Sequence, residues 1–141
     1  MLKYAIFFLA MVMLFVPFGS AFALDGVQRA ELKNARLVNT FGEPLSQNIN
    51  TNQQIQVSAD ITNKQNTPQI FVYIVVIQDS NSITQKLTWI SGSLNPQQTF
   101  SPAISWLPNT PGTYTAHIYV WDSIPNASAL TRSLELKFIV S

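Results

Sequence analysis

Few side chains in this sequence could carry out covalent or metal chemistry. The chain has no cysteine and one histidine, His117, which excludes a thiol nucleophile and a copper site of the Cys/His type. A lone histidine supplies only one of the ligands that a metal needs, and on a strand it is typically a surface residue. The sequence also lacks a G-x-S-x-G motif, a glycine-rich phosphate loop and paired carboxylates in one segment. We therefore expect no enzymatic activity, no cofactor and no metal.

Oxygen ligands and one modification motif are the remaining chemical features. Asp79 and Asn81 have the spacing of calcium ligands, and Asp60 could approach Asp122 at one pole of a sandwich. Each pair offers two ligands where calcium takes about six or more, so neither predicts a site alone. Asn126, followed by Ala127 and Ser128, begins the one sequence that fits the N-glycosylation motif. In an exported protein, Asn126 is a candidate glycosylation site.

The elements that would hold these residues are strands. Apolar and polar residues alternate cleanly from Gln54 to Thr62 and from Thr113 to Trp121, which is the pattern of strands with one face in a core. Turn signals recur every ten residues or so, and no convincing helix follows the first segment. Seven strands are predicted, at residues 35–39, 54–62, 70–77, 83–90, 100–106, 113–121 and 134–140. The sequence therefore predicts an all-β fold, a seven-stranded antiparallel immunoglobulin-like β-sandwich preceded by an N-terminal signal helix.

The first residues have the order of a secretory signal. Lys3 precedes an unbroken apolar run, Pro17 and Gly19 interrupt the helix, and small residues stand at Ala21 and Ala23. This order predicts cleavage after Ala23 and an extracellular or cell-surface location. We expect a signal peptide at residues 1–23, a linker at 24–34 and the sandwich domain at 35–141. If the helix were retained, it would act as a membrane anchor or as a pilin-like assembly helix, although the short leader lacks a basic-Gly processing site.

Three motifs stand out: the run from Pro111 to Ala116, the run from Val57 to Asn63, and the turn from Leu94 to Gln98. They resemble, in this order, the penultimate strand, the second strand and the turn before the fifth strand of exported immunoglobulin-like domains of the CARDB type, found in archaeal and bacterial surface proteins. The resemblance covers residues 37–140 and implies an adhesive or spacer module without catalytic residues. Tyr114 fits it, because a tyrosine after such a turn can bury its ring and donate its hydroxyl to a loop carbonyl.

One strand is more apolar than a sandwich requires. Eight consecutive apolar residues run from Ile70 to Ile77. We expect Phe71, Tyr73, Val75 and Ile77 to point inward. The outward positions between them would ordinarily be polar in a two-layer sandwich, but here they are apolar as well. An immunoglobulin-like topology pairs this strand with the strand from Thr113 to Trp121. The resulting outer surface is a candidate interaction face, or it is covered by the N-terminal segment or a loop. Its residues are Val72, Ile74, Val76, His117, Tyr119 and Trp121.

Charge and composition limit the partners. Lys3 is the only charged residue among the first 23, so seven basic and seven acidic residues remain beyond it, and nucleic acid is a poor partner for a neutral domain. We expect a protein partner or self-association through the apolar sheet face, with a membrane involved only if the helix is retained. A glycan is the alternative, because exposed aromatic rings stack on sugars. The nearby amides are Asn63, Asn66, Gln69 and Gln78, but we expect no acidic residue beside the face.

Overall fold

The computed structural model describes Leu24 and residues 26–141. The expected signal peptide and its helix lie outside these described residues. A short 3-10 turn at Gly26–Gln28 is followed by nine strands: β1 Ala30–Val38, β2 Asn48–Ile49, β3 Ile55–Asn63, β4 Gln69–Asp79, β5 Thr84–Leu94, β6 Thr99–Phe100, β7 Ala103–Trp106, β8 Gly112–Trp121 and β9 Leu134–Val140. In the part of the chain that the structure describes, no helix is both long and apolar enough to cross a bilayer.

The strands form two sheets. In the four-stranded sheet, β3 lies at the centre, with β1 on one side and β6 and β7 on the other; the five-stranded sheet has the order β2-β9-β8-β4-β5. All pairings are antiparallel except that of β2 with β9, which is parallel. The all-β prediction is confirmed, and this architecture matches a sandwich.

The core forms where the inward faces of the two sheets meet. The predicted inward residues of β4 and β8 are all buried, which confirms both assignments. They are Phe71, Tyr73, Val75, Ile77, Tyr114, Ala116, Ile118 and Val120. Tyr114 donates its hydroxyl to the carbonyl oxygen of Thr110 at 2.7 Å, and its ring meets Trp106 edge-on at 5.0 Å between centroids. The expected contact between the Tyr114 hydroxyl and the preceding loop is confirmed.

The predicted count of seven strands is too low, and the sandwich is not wholly antiparallel. The predicted strand at residues 100–106 is divided into β6 and β7, because Pro102 has no N–H to donate to β3 and interrupts the pairing. The sequence prediction also missed β2, which pairs in parallel with the end of β9 through Asn48 and Ile49. A strand of two residues is too short to show the alternation of apolar and polar residues by which strands are predicted.

The expected linker at residues 24–34 is also shorter than predicted, because β1 begins at Ala30. Leu32 and Leu37 both point inward against β3 although they are five residues apart. A bulge between Lys33 and Arg36 shifts the register, and Asn34 adopts a left-handed φ of 55° there. A bulge places an extra residue in one strand and so breaks the alternation on which the prediction relied.

Candidate functional site

The six residues of the predicted interaction face lie together on the outer surface of the five-stranded sheet. The register of β4 with β8 sets Val72 opposite Trp121, Ile74 opposite Tyr119 and Val76 opposite His117. Directly opposed residues on neighbouring strands share one side of a sheet. The three pairs therefore form consecutive rows of one surface, which we call the outer face.

Strand β5 extends the outer face by two large side chains. Leu87 lies opposite Val76, and Trp89 lies opposite Ile74; these two added side chains are 56% and 50% exposed. Leu87 and Trp89 are two residues apart in the sequence, so alternation puts them on one side of their strand, but it does not show that this side continues the outer face. That assignment requires the neighbour and the register of β5, which are set by tertiary pairing.

The centre of the outer face is shielded by its borders. Val72 and Ile74 are each only 5% exposed although they point away from the core. Ile74 lies between Trp89 and Tyr119 in one row, and the rings of Tyr119 and Trp121 are tilted against each other at 6.1 Å. The accessible apolar surface thus comes mainly from aromatic and leucine side chains at the borders, a composition that is common in binding surfaces.

One border of the outer face is charged. His117 lies opposite Glu135 of β9, and its Nδ1 is 3.3 Å from Glu135 Oε1. The expectation that no acidic residue adjoins the face is therefore wrong. The reason is positional, since Glu135 is distant in sequence and the pairing of β8 with β9 brings it to the face. An apolar centre with a polar border is the usual arrangement of an interface.

The outer surface of the four-stranded sheet is polar. Gln56 Nε2 donates to Ser105 Oγ at 3.2 Å, and the hydroxyls of Thr62 and Thr99 lie 2.7 Å apart. These cross-strand pairs satisfy one another and leave polar groups toward water. The two outer surfaces of the sandwich therefore differ in chemistry, and only that of the five-stranded sheet is rich in apolar and aromatic residues.

A cluster around Asp60 completes the polar surface. Asp60 accepts hydrogen bonds from Ser101 Oγ at 2.6 Å, Asn34 Nδ2 at 2.8 Å and Arg36 Nη1 at 2.9 Å. The hydrogen bond from Ser101, followed by those from Asn34 and Arg36 and the charge of Arg36, outweighs partial burial and lowers the pKa of Asp60 to about 2. Asp60 is thus ionised at neutral pH and ties β1 and β3 to the segment after β6.

The carboxylates considered for calcium are engaged in separate hydrogen-bond networks. Asp79 Oδ1 accepts the backbone N–H groups of Asn81 and Ile83 at 2.9 and 3.0 Å, which stabilises the β4–β5 turn. Asp60 and Asp122 bind different partners. Across residues 26–141, the structure brings no three His, Asp or Glu side chains close enough together to hold a metal.

The candidate glycosylation site Asn126 lies in the exposed loop that follows β8. Asp122 Oδ1 accepts the N–H groups of Ser123 at 2.6 Å and Ser128 at 3.1 Å, which closes this loop. Partial burial alone would raise the pKa of Asp122, but the hydrogen bonds from Ser128, Ser123 and Asn126 lower it. The Asn126 side chain is exposed, with Nδ2 at 3.4 Å from Asp122 Oδ2.

The amides proposed for sugar contacts are not equally accessible. Asn63 is completely buried, and its Nδ2 donates to the carbonyl oxygens of Thr67 at 2.8 Å and Asn95 at 3.1 Å. Asn63 is therefore a structural residue and not a ligand contact. Asn66 is exposed, whereas Gln69 and Gln78 are half-buried.

Comparison with known proteins identifies the fold. No protein family and no curated protein matches the sequence. The C-terminal domain of wzt superposes with a TM-score of 0.61 at 14% identity, over 83% of this chain and 76% of that chain. A CARDB domain from Pyrococcus furiosus, in complex with di-metal ions, superposes with a TM-score of 0.56 at 15% identity, over 84% of this chain and 95% of that chain.

Part of a larger enzyme has a similar fold. A β-glucosidase from Listeria innocua, in complex with glucose, superposes with a TM-score of 0.59 at 14% identity, over 79% of this chain but only 16% of that chain. At such identities the likenesses establish the fold alone. The chain thus has a CARDB-like β-sandwich fold, as the sequence resemblance indicated.

Proposed function

We propose that this protein is an exported, non-enzymatic interaction module that binds a protein partner through the outer face of its five-stranded sheet. The observation that carries the proposal is the difference between the two outer surfaces. One pairs its polar groups across strands, whereas the other presents Leu87, Trp89, Tyr119 and Trp121 around a buried aliphatic centre. Apolar and aromatic surface concentrated on one side of a small domain is characteristic of an interaction site.

Other features support parts of this proposal. The CARDB-like fold fits a module of a surface protein, and a similar fold forms a small part of a much longer β-glucosidase chain. The export part rests on the signal-like order of residues 1–23. Determining the mature N-terminus by mass spectrometry tests it, since a chain that begins at Leu24 supports release and an intact N-terminal helix supports an anchored or pilin-like form.

Substitution of Tyr119 tests the outer face directly. Tyr119→Asp adds a charge next to Ile74 at the centre of the face, and we expect binding to a partner or to the cell surface to weaken tenfold or more, as at a desolvated hot spot. Ser105→Asp is the matched control, since it adds the same charge to the polar surface of the other sheet. Binding is measured with both folded variants by attachment to the cell surface. Equal behaviour of wild type and Tyr119→Asp would contradict the proposal.

Glycan capture by the same face is a second candidate, favoured by the position of Trp89. This residue adds a third large aromatic ring to those of Tyr119 and Trp121, and aromatic rings stack on the apolar faces of sugars. Glycan-array binding that is lost in Trp89→Ala and kept in Ser105→Ala would favour a sugar ligand. Attachment to a protein partner without any glycan signal would favour protein contact.

A further inference from the structure

The unpaired edge of β5 is a second feature of the five-stranded sheet that could bind another strand. Among the described residues, β5 lies at the end of the strand order and pairs only with β4. The other edge of such a strand carries N–H and C=O groups that can pair with another strand, and proteins usually protect these edges. An edge that lacks features preventing strand pairing is therefore a candidate site for binding another strand.

The other edge strands of the described residues carry recognisable protection. β2 has only two residues, and β6 and β7 are separated at Pro102. β1 carries a bulge between Lys33 and Arg36 and a further charge at Glu31. Short length, proline, bulges and charges are the devices that prevent edge-to-edge pairing.

β5 has almost none of these devices. It spans eleven residues without proline and with Lys86 as its only charge. From Lys86 to Leu94 it pairs with β4 without a register shift, so this part of the edge is regular. Leu87, Trp89 and Ile90 along it are 56%, 50% and 37% exposed. An edge that is long, regular and largely uncharged is suited to accept a further strand.

We infer that β5 pairs antiparallel with β5 of a second copy of this chain about a two-fold axis near Trp89. This inference goes beyond the proposed interaction function, because it concerns the edge of the sheet and not its outer face. A central alignment places Lys86 opposite Gly92 of the second copy, so the two lysines do not face each other. Residues of equal parity then oppose one another, which joins the outer faces of both copies into one continuous surface.

Single-cysteine variants locate the axis. The chain has no cysteine of its own, so Thr88→Cys, Trp89→Cys and Ile90→Cys of the full chain each report a single position. Directly opposed residues lie about 4.5–5.5 Å apart across an antiparallel pair, within the range of a disulfide. We expect one of the three variants to give a disulfide-linked dimer under mild oxidation, at least tenfold more than the control Ser105→Cys. Cross-linking no greater than the control at all three positions would overturn the inference.

Solution mass separates the edge from the face. Ile90 lies opposite the inward-pointing Tyr73. Wild type should show a concentration-dependent dimer by sedimentation, and Ile90→Lys should abolish it, since an inward-pointing charge is a natural protection of edge strands. Ser91→Lys repeats the test at an exposed position in case Ile90→Lys does not fold. Tyr119→Asp should remain dimeric while losing its attachment to the cell surface. Failure of edge pairing and failure of the outer-face proposal are therefore distinguishable. A wild-type monomer at all concentrations would overturn edge pairing.

Discussion

Asn63 connects the end of β3 to the loop that follows it and to the turn after β5. Its backbone N–H donates to Gln98, its side-chain nitrogen donates to Thr67 and Asn95, and its side-chain oxygen accepts the N–H of Gln65 at 3.0 Å. The sequence indicated an asparagine at the end of this strand through resemblance alone. The hydrogen bonds were not predictable, because they join the loop before β4 to the turn after β5. These two segments become neighbours only when the strands have paired.

Removal of the Asn63 amide should therefore destabilise the fold. We expect Asn63→Ala to lower the free energy of unfolding by about 2–3 kcal/mol, because several partly buried backbone groups and the buried carbonyl of Leu94 lose their partner. Urea unfolding measured by tryptophan fluorescence tests this. The exposed Asn66→Ala should change stability by about 0.5 kcal/mol or less. A similarly small effect at Asn63 would mean that its amide bonds contribute no net stability.

Asp60 should make stability depend on pH. Its pKa is about 2 in the folded protein against an ordinary value of 3.8. Because the folded pKa is the lower one, the contribution is complete above about pH 4 and is lost as pH falls through 2. We expect Asp60→Asn to cost about 1–2 kcal/mol at pH 7 and much less near pH 2. Unfolding curves of both proteins at the two pH values test this, and a constant difference would contradict it.

At the scale of elements, regular strands were predictable and irregular ones were not. The alternation of β3, β8 and β9 reflects the physical requirement that one face enters the core. The start of β1 was missed because its bulge at Asn34 reverses the inward parity. β2 was missed because its two residues are fixed by the distant β9 and carry no periodic signal of their own.

The contribution of β2 to the fold can be measured at Ile49. This side chain is 2% exposed and belongs to the core cluster. We expect Ile49→Ala to lower the free energy of unfolding by about 2–4 kcal/mol, since it leaves a cavity between the sheets. The exposed neighbour Asn48→Ala is the control for strand formation. If Ile49→Ala lowers the free energy of unfolding as little as Asn48→Ala does, β2 contributes little to the stability of the fold.

At the scale of the whole molecule, the sequence predicted the fold class and the six original residues of the outer face. These residues could be predicted because one overlong apolar strand and one aromatic strand are neighbours in any immunoglobulin-like topology. Leu87, Trp89 and Glu135 could not be assigned to the face, since they reach it through β5 and β9. The free edge of β5 likewise depends on strand order, which periodicity does not encode.

The tie between Ser141 and the β2 region has a consequence for how two copies would be spaced. Ser141 donates its N–H to Ile49 at 3.0 Å and accepts that of Thr51 at 2.8 Å, which fixes it near the sheet edge opposite β5. In an edge-paired dimer, the two copies of β9 would lie seven interstrand spacings apart, roughly 34 Å at about 4.8 Å each. The dimer would contain one continuous ten-stranded sheet. Domains fused to Ser141 of the two copies would lie near its opposite ends, far enough apart not to contact each other.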